Sequence, residues 1–175
     1  YICSRESTRD IAIFMAKKCY ETGIVNTVDA GPMWTALHYA VKASNLTVSK
    51  MLIEDGKADV NARNGGGYTP LLVICVSGVG NDPVKLAIVR LLLKHGASLE
   101  SRQGISRFTP LHWCCHLGNV AVAKILISAG ADITSLTLHK KSTLNLAQTS
   151  LRNRITITGL IQREMKKIEK SQATI

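Results

Sequence analysis

The residues with most chemical potential lie together in His112-Trp-Cys-Cys-His116, two imidazoles and two thiols, the ligand types that zinc prefers. On a helix, Cys114 turns away from the face shared by His112, Cys115 and His116, so this segment alone cannot close a tetrahedron. A cysteine nucleophile needs a depressed pKa and an orienting base within reach. Cys114 and Cys115 sit among apolar helix-forming neighbours that offer neither, and free cysteine then behaves as a small hydrophobe. Gly65-Gly66-Gly67 and Gly78-Val-Gly80 are rich in glycine, yet no Gly-Lys-Ser/Thr follows either one. They read as a turn tip and a loop hinge. No paired acids, acidic metal loop or Ser-His-Asp order stands out. The expectation is a non-enzymatic chain with no catalytic residue, metal or cofactor.

The elements that position these residues repeat. Four segments align: Trp34-Thr-Ala-Leu-His-Tyr-Ala40, Tyr68-Thr-Pro-Leu-Leu-Val-Ile74, Phe108-Thr-Pro-Leu-His-Trp-Cys114 and Lys141-Ser-Thr-Leu-Asn-Leu-Ala147. Their hydroxyl residues fall at 35, 69, 109 and 142, giving steps of 34, 40 and 33. Thr35, Thr69 and Thr109 suit a helix N-cap, and Pro70 and Pro110 fall in the first turn, where a missing N–H costs nothing. Each of the first three segments leads to a second apolar helix pattern that ends at Gly56, Gly96 or Gly130, where a left-handed residue is expected to stop the helix. One such unit cannot bury both helix faces, so units must stack.

These segments resemble the ankyrin family, whose hallmark is Thr-Pro-Leu-His-x-Ala. Phe108 to Ile133 is the closest copy, with the Gly118-Asn119 turn and the Gly130-Ala131-Asp132 ending at the family's offsets. The resemblance implies an all-α ankyrin-repeat solenoid of helix-turn-helix units with β-hairpin-like fingers. It also implies that His112 bonds backbone between neighbouring repeats. The expected organisation is one domain over 1–175. A partial repeat at 1–29 precedes repeats at 30–63, 64–103 and 104–136, and a capping repeat at 137–175 carries an extended basic helix. Ser7-Thr-Arg-Asp10 reads as a capping box before Ile11, Met15 and Cys19 at helical spacing, and Ile157, Leu160, Ile161, Met165 and Ile168 mark the terminal helix. The longer second step places an insertion near 78–84, a surface loop.

In the ankyrin register Trp34, Tyr68 and Phe108 are equivalent and should line the fingers at the rim of a concave groove. Aromatics there are good anchors because they bury a large area with few rotatable bonds. The same register places Lys42, Ser77, His116 and Thr149 on the inner face of the first helices and Arg63 and Arg102 on the fingers. These are the expected partner-binding residues.

The chain carries 22 Lys and Arg against 12 Asp and Glu, a formal net charge of +10. Residues 1–138 hold 14 basic and 10 acidic side chains and residues 139–175 hold 8 and 2. That balance favours another protein with an acidic surface as partner. Nucleic-acid or nucleotide binding through the basic C-terminal cap is the alternative, though few aromatics interleave with Lys140, Lys141, Arg152, Arg154, Lys166 and Lys167 to stack bases. A third reading makes the segment the targeting part of a larger multidomain enzyme, since the chain begins at Tyr1 and reads as an excerpt. Five cysteines, Cys3 included, form no disulfide framework, and the longest apolar run, Leu71–Val76, is far short of the roughly 18 to 20 residues that span a bilayer. A monomeric cytoplasmic or nuclear protein with no membrane association is expected.

Overall fold

The computed structural model describes residues 14, 18–77, 82–150 and 152–172. The Ser7–Asp10 capping box, the Ile11 and Met15 positions and residues 78–81 of the insertion lie outside the described residues.

Among the described residues the first helix of each repeat starts at a hydroxyl cap. Helices α1 (Ala36–Lys42), α3 (Pro70–Val76), α5 (Pro110–Leu117) and α7 (Thr143–Gln148) begin after Thr35, Thr69, Thr109 and Ser142, each in extended backbone. Each cap oxygen accepts the backbone N–H three residues on and satisfies a donor that the helix leaves open. The second helices are α2 (Leu46–Glu54), α4 (Pro83–Lys94), α6 (Val120–Ser128) and α8 (Arg154–Gln172). Asn45, Asp82 and Asn119 cap the first three of these. The cap at Asp82 and the helix start at Pro83 take the described end of the expected insertion out of the loop. Helix α4 accordingly runs 12 residues against 9 in α2 and 9 in α6.

The expected left-handed stop holds at Gly96 and Gly130, with φ of 83° and 95°, and fails at Gly56. In the first repeat the left-handed residue is Lys57, φ 53°. The cause is one extra residue before the alanine that ends each unit. Ala58, Ala97 and Ala131 all bond back to the second helix, at Leu52, Leu92 and Leu126, so Lys57 is the positional equal of Gly96 and Gly130.

The described residues up to Ser98 form one compact unit and those from Leu99 a second. In the first, α1 packs on α2 and α3, while α4 packs on α2 and α3. Leu37, Leu52, Leu71, Ile88 and Leu92 fill its core with no exposed surface. In the second, α5 packs on α6 and α7, while α8 packs on α6 and α7, around Leu111, Leu126, Ile157 and Ile161. Each such side chain contributes about 1.5–3 kcal/mol relative to exposure. First helix on first helix and second on second is the stacking that a lone unit lacks.

A reversed turn precedes each first helix and is closed by one backbone bond, from Asp29 to Trp34 at 3.1 Å, Asn64 to Tyr68 at 3.0 Å, Gln103 to Phe108 at 3.0 Å and Thr137 to Lys141 at 3.1 Å. These are the fingers, hairpin-like and without regular strands among the described residues. The residue before the closing position is left-handed in all four: Met33, Gly67, Arg107 and Lys140.

Candidate functional site

The buried members of the His112–His116 cluster are spent on structure. The His112 ring lies fully buried, with Nδ1 accepting the Thr109 backbone N–H at 3.2 Å. That fixes the proton on Nε2, which donates to the Ser135 carbonyl 3.0 Å away in the next finger. Burial pushes its pKa below the usual histidine value, so the imidazole is neutral. Cys114 and Cys115 have no exposed surface, and burial drives the Cys115 thiol up to about 12, which disfavours a Cys115 thiolate nucleophile. His116 lies exposed on the helix surface. Among the described residues no three His, Cys, Asp or Glu side chains group as metal ligands.

The rim of the first unit is built from Asp29, Trp34, Tyr39 and Lys42. The Asp29 carboxylate accepts the Trp34 backbone N–H at 3.1 Å and the Tyr39 hydroxyl, so the finger is fastened to α1. Partial desolvation works to raise the Asp29 pKa, but the Tyr39 hydroxyl and the amides of Trp34, Gly31 and Met33 outweigh it and hold it low. That bond to Asp29 pushes the Tyr39 phenol up to about 12. The half-buried Trp34 ring packs on Tyr39 with centroids 5.1 Å apart, and Lys42 holds its ammonium 4.7 Å from the Trp34 centroid. Lys42 and Trp34 are therefore one cation–π pair. Tyr68 sits one finger on, half-buried, its carbonyl accepting Nε2–H of His38 at 2.9 Å.

On the second unit Phe108 packs on Trp113 at 5.0 Å and meets His116 edge-on at 6.1 Å. Phe108, Trp113 and His116 thus hold the offsets of Trp34, Tyr39 and Lys42. The equivalent of Lys42 in the intervening repeat is Val76, seven residues after its cap threonine. Ser77 falls one residue beyond and is the C-cap of α3, with its hydroxyl bonded to the Val73 carbonyl at 2.5 Å. Thr149 keeps the Lys42 offset but caps α7 and donates to Asn145. Arg63 is exposed beside the Asn64 turn. Arg102 is committed within its unit. Its guanidinium donates to the Leu136 carbonyl at 2.7 Å, the Ser135 hydroxyl at 2.6 Å and the Arg107 carbonyl at 3.4 Å.

Two ladders escaped the sequence reading. Asp29, Asn64, Gln103 and Thr137 each turn a side-chain oxygen onto the backbone N–H groups of their own finger. Asn26 bridges to Lys57 and Asp59, Asn61 to Gly96 and Ser98, and Glu100 to Asp132, each reaching the matching loop of the next repeat. The recurrence of asparagine at 26 and 61, one repeat apart, was the available signal.

What these surfaces offer is shape, aromatic area and fixed charge. Among the described residues no helix is long and apolar enough to cross a membrane. The family model for ankyrin repeats matches residues 1–103 and 57–137. The ankyrin repeat and SAM domain-containing protein 6 of Mus musculus is 30% identical over 97 residues, 55% of this chain and 10% of that protein. The ankyrin repeat protein YahD of Escherichia coli is 37% identical over 92 residues, 53% of this chain and 45% of that protein. The palmitoyltransferase AKR1 of Saccharomyces cerevisiae is 35% identical over 132 residues, 70% of this chain and 16% of that protein. The chain spans less than half the length of each of these relatives. With its repeating caps, stacked helix pairs and fingers, the chain belongs to the ankyrin repeat family.

Proposed function

We propose that this chain captures a partner protein through the aromatic and basic rim of its fingers and first helices, and performs no chemistry itself. Ankyrin repeats mediate protein–protein interactions and are typically non-catalytic, and the chain is an interaction module of that kind. The finer reading takes Trp34 and Tyr68 on the first unit and Phe108 on the second as anchors, with Lys42, Arg63 and His116 beside them. Repeats at 30–63, 64–103 and 104–136 supply these residues, before the capping repeat at 137–175. The observation that carries it is the Lys42–Trp34 pair, a cation held over an aromatic face at the mouth of a finger whose turn is locked by Asp29. Such a preorganised anchor loses little entropy on binding. The net charge of +10 favours an acidic partner surface.

Free thiols at Cys19, Cys75, Cys114 and Cys115 support a reducing compartment, the cytoplasm or nucleus, and a monomer is the expected working form. A second reading, a targeting segment of a larger polypeptide, is favoured by the small share of each relative that the chain covers. A photo-crosslinking residue at position 42 tests the rim: capture of one partner there, lost when Trp34 is changed to alanine, is expected. Crosslinks only from the opposite, second-helix face would overturn it. Capture of RNA or DNA in place of protein, with a steep fall in affinity as salt rises, would favour the nucleic-acid alternative.

A further inference from the structure

We infer that the paired finger tips of the second unit form a separate docking surface for an acidic protein segment bearing aliphatic side chains. Ile105 is 84% exposed, Leu138 55% and Leu136 48%, although aliphatic side chains of this size are ordinarily buried. They stand on two tips fixed side by side. The Leu138 N–H donates to the Ser106 carbonyl at 3.3 Å, and Arg102 donates to both the Leu136 and the Arg107 carbonyls. Arg107, Lys140 and Lys141 are exposed on the same tips. Asp132 is the one carboxylate from residue 101 to residue 163, and it is occupied in capping the Thr134 turn.

The tips therefore present aliphatic knobs with a cationic border and no acidic side chain of their own. The first unit's tips, Ala30-Gly31-Pro32 and Gly65-Gly66-Gly67, carry no charge, so the feature is not generic to the fingers. An anionic bilayer fits less well, because polybasic attachment takes clusters of roughly four to eight Lys or Arg and these tips offer three. An acidic segment with aliphatic side chains matches both components, with charge setting the encounter and apolar contact setting the dissociation rate. The inference rests on the protein-binding reading but not on the aromatic rim.

The test is nitrogen-15 NMR of the whole chain with a short synthetic peptide alternating Asp or Glu with Leu. Beside it run a peptide with Ser for Leu, a peptide with Lys for the acids, and vesicles of phosphatidylserine and phosphatidylcholine. Shifts confined to residues 104–107 and 136–141 with the acidic Leu peptide alone are expected. Ile105→Ser with Leu138→Ser should weaken that binding about tenfold. Lys140→Gln with Lys141→Gln should weaken it similarly at low salt and less at high salt. These positions are exposed, and an unchanged melt shows that each variant folds. Equal binding of the Ser peptide, binding of vesicles alone, or shifts elsewhere would overturn the assignment. Triple alanine replacement of Trp34, Tyr68 and Phe108 should leave peptide binding intact. A chain that captures its partner yet ignores the peptide would sink the tips and spare the rim.

Discussion

The Nε2–H of His38 donates to the Tyr68 carbonyl oxygen 2.9 Å away, and in the second unit that of His112 donates to the Ser135 carbonyl oxygen 3.0 Å away. In both, Nδ1 accepts the backbone N–H of the cap threonine, so each ring must be neutral and holds one helix start against the next finger.

A pH dependence follows. Burial lowers the folded pKa of both histidines below 6.5, backbone bonding opposing it only in part. Between the lowered folded value and 6.5 the unfolded chain binds protons that the folded chain refuses. Stability from these rings is therefore complete above pH 6.5 and is lost as pH falls below it, by at most about 1.4 kcal/mol per pH unit for each ring. Urea midpoints measured across that range should fall on acidification. His38→Leu should cost about 1–3 kcal/mol at neutral pH, because the Tyr68 carbonyl loses its donor, and should make the acid slope shallower.

Gly118 and Gly96 separate steric clash from backbone conformation. Both are left-handed, at φ of 71° and 83°, but a Cβ on Gly118 would stand 1.9 Å from the Arg152 carbonyl oxygen while one on Gly96 meets nothing within 4 Å. Gly96→Ala should cost about 0.5–1 kcal/mol, the left-handed penalty less the unfolded-state entropy that alanine saves. Gly118→Ala should cost more than about 3 kcal/mol, since the next turn must also move. Equal costs in chemical denaturation would contradict the close approach.

Lys57 offers the reverse change. A left-handed lysine costs about 1–2 kcal/mol, and glycine gives back about 0.5–1 in unfolded-state entropy. Lys57→Gly should raise stability by the difference, about 0.5–1 kcal/mol, readable as a higher urea midpoint with unchanged slope.

The thiols give a chemical check. With its pKa pushed up to about 12 and no exposed surface, Cys115 should resist iodoacetamide in the native chain, as should the buried Cys75 and Cys114. Cys19, partly exposed, should label first. Peptide mapping after native and denatured alkylation reads this directly, and rapid native labelling of Cys115 would revive the nucleophile reading.

The repeat was legible in the sequence because caps and core are dictated by residue type: threonine before proline, leucine two residues after the cap, histidine three after it in two repeats. The finger ladder was not, because Asp29, Asn64, Gln103 and Thr137 are a carboxylate, two amides and a hydroxyl that supply the same acceptor oxygen. Lys57 was missed because one inserted residue moves the left-handed position off the glycine. Ser77 lies one residue beyond the offset that Lys42 keeps from its cap, and Val76 holds that position. Arg102 shows its charge in the sequence, but not that the carbonyls of Leu136 and Arg107 take it up.

The most direct measurement is partner capture by a chain with Trp34, Tyr68 and Phe108 all changed to alanine, beside its helical circular dichroism and melting curve. None of the three rings is fully buried, so the fold should persist with a cooperative melt. Capture should fall at least about a hundredfold, the loss expected when a few aromatic anchors carry most of the binding. Capture at wild-type strength by the folded triple variant would contradict the rim.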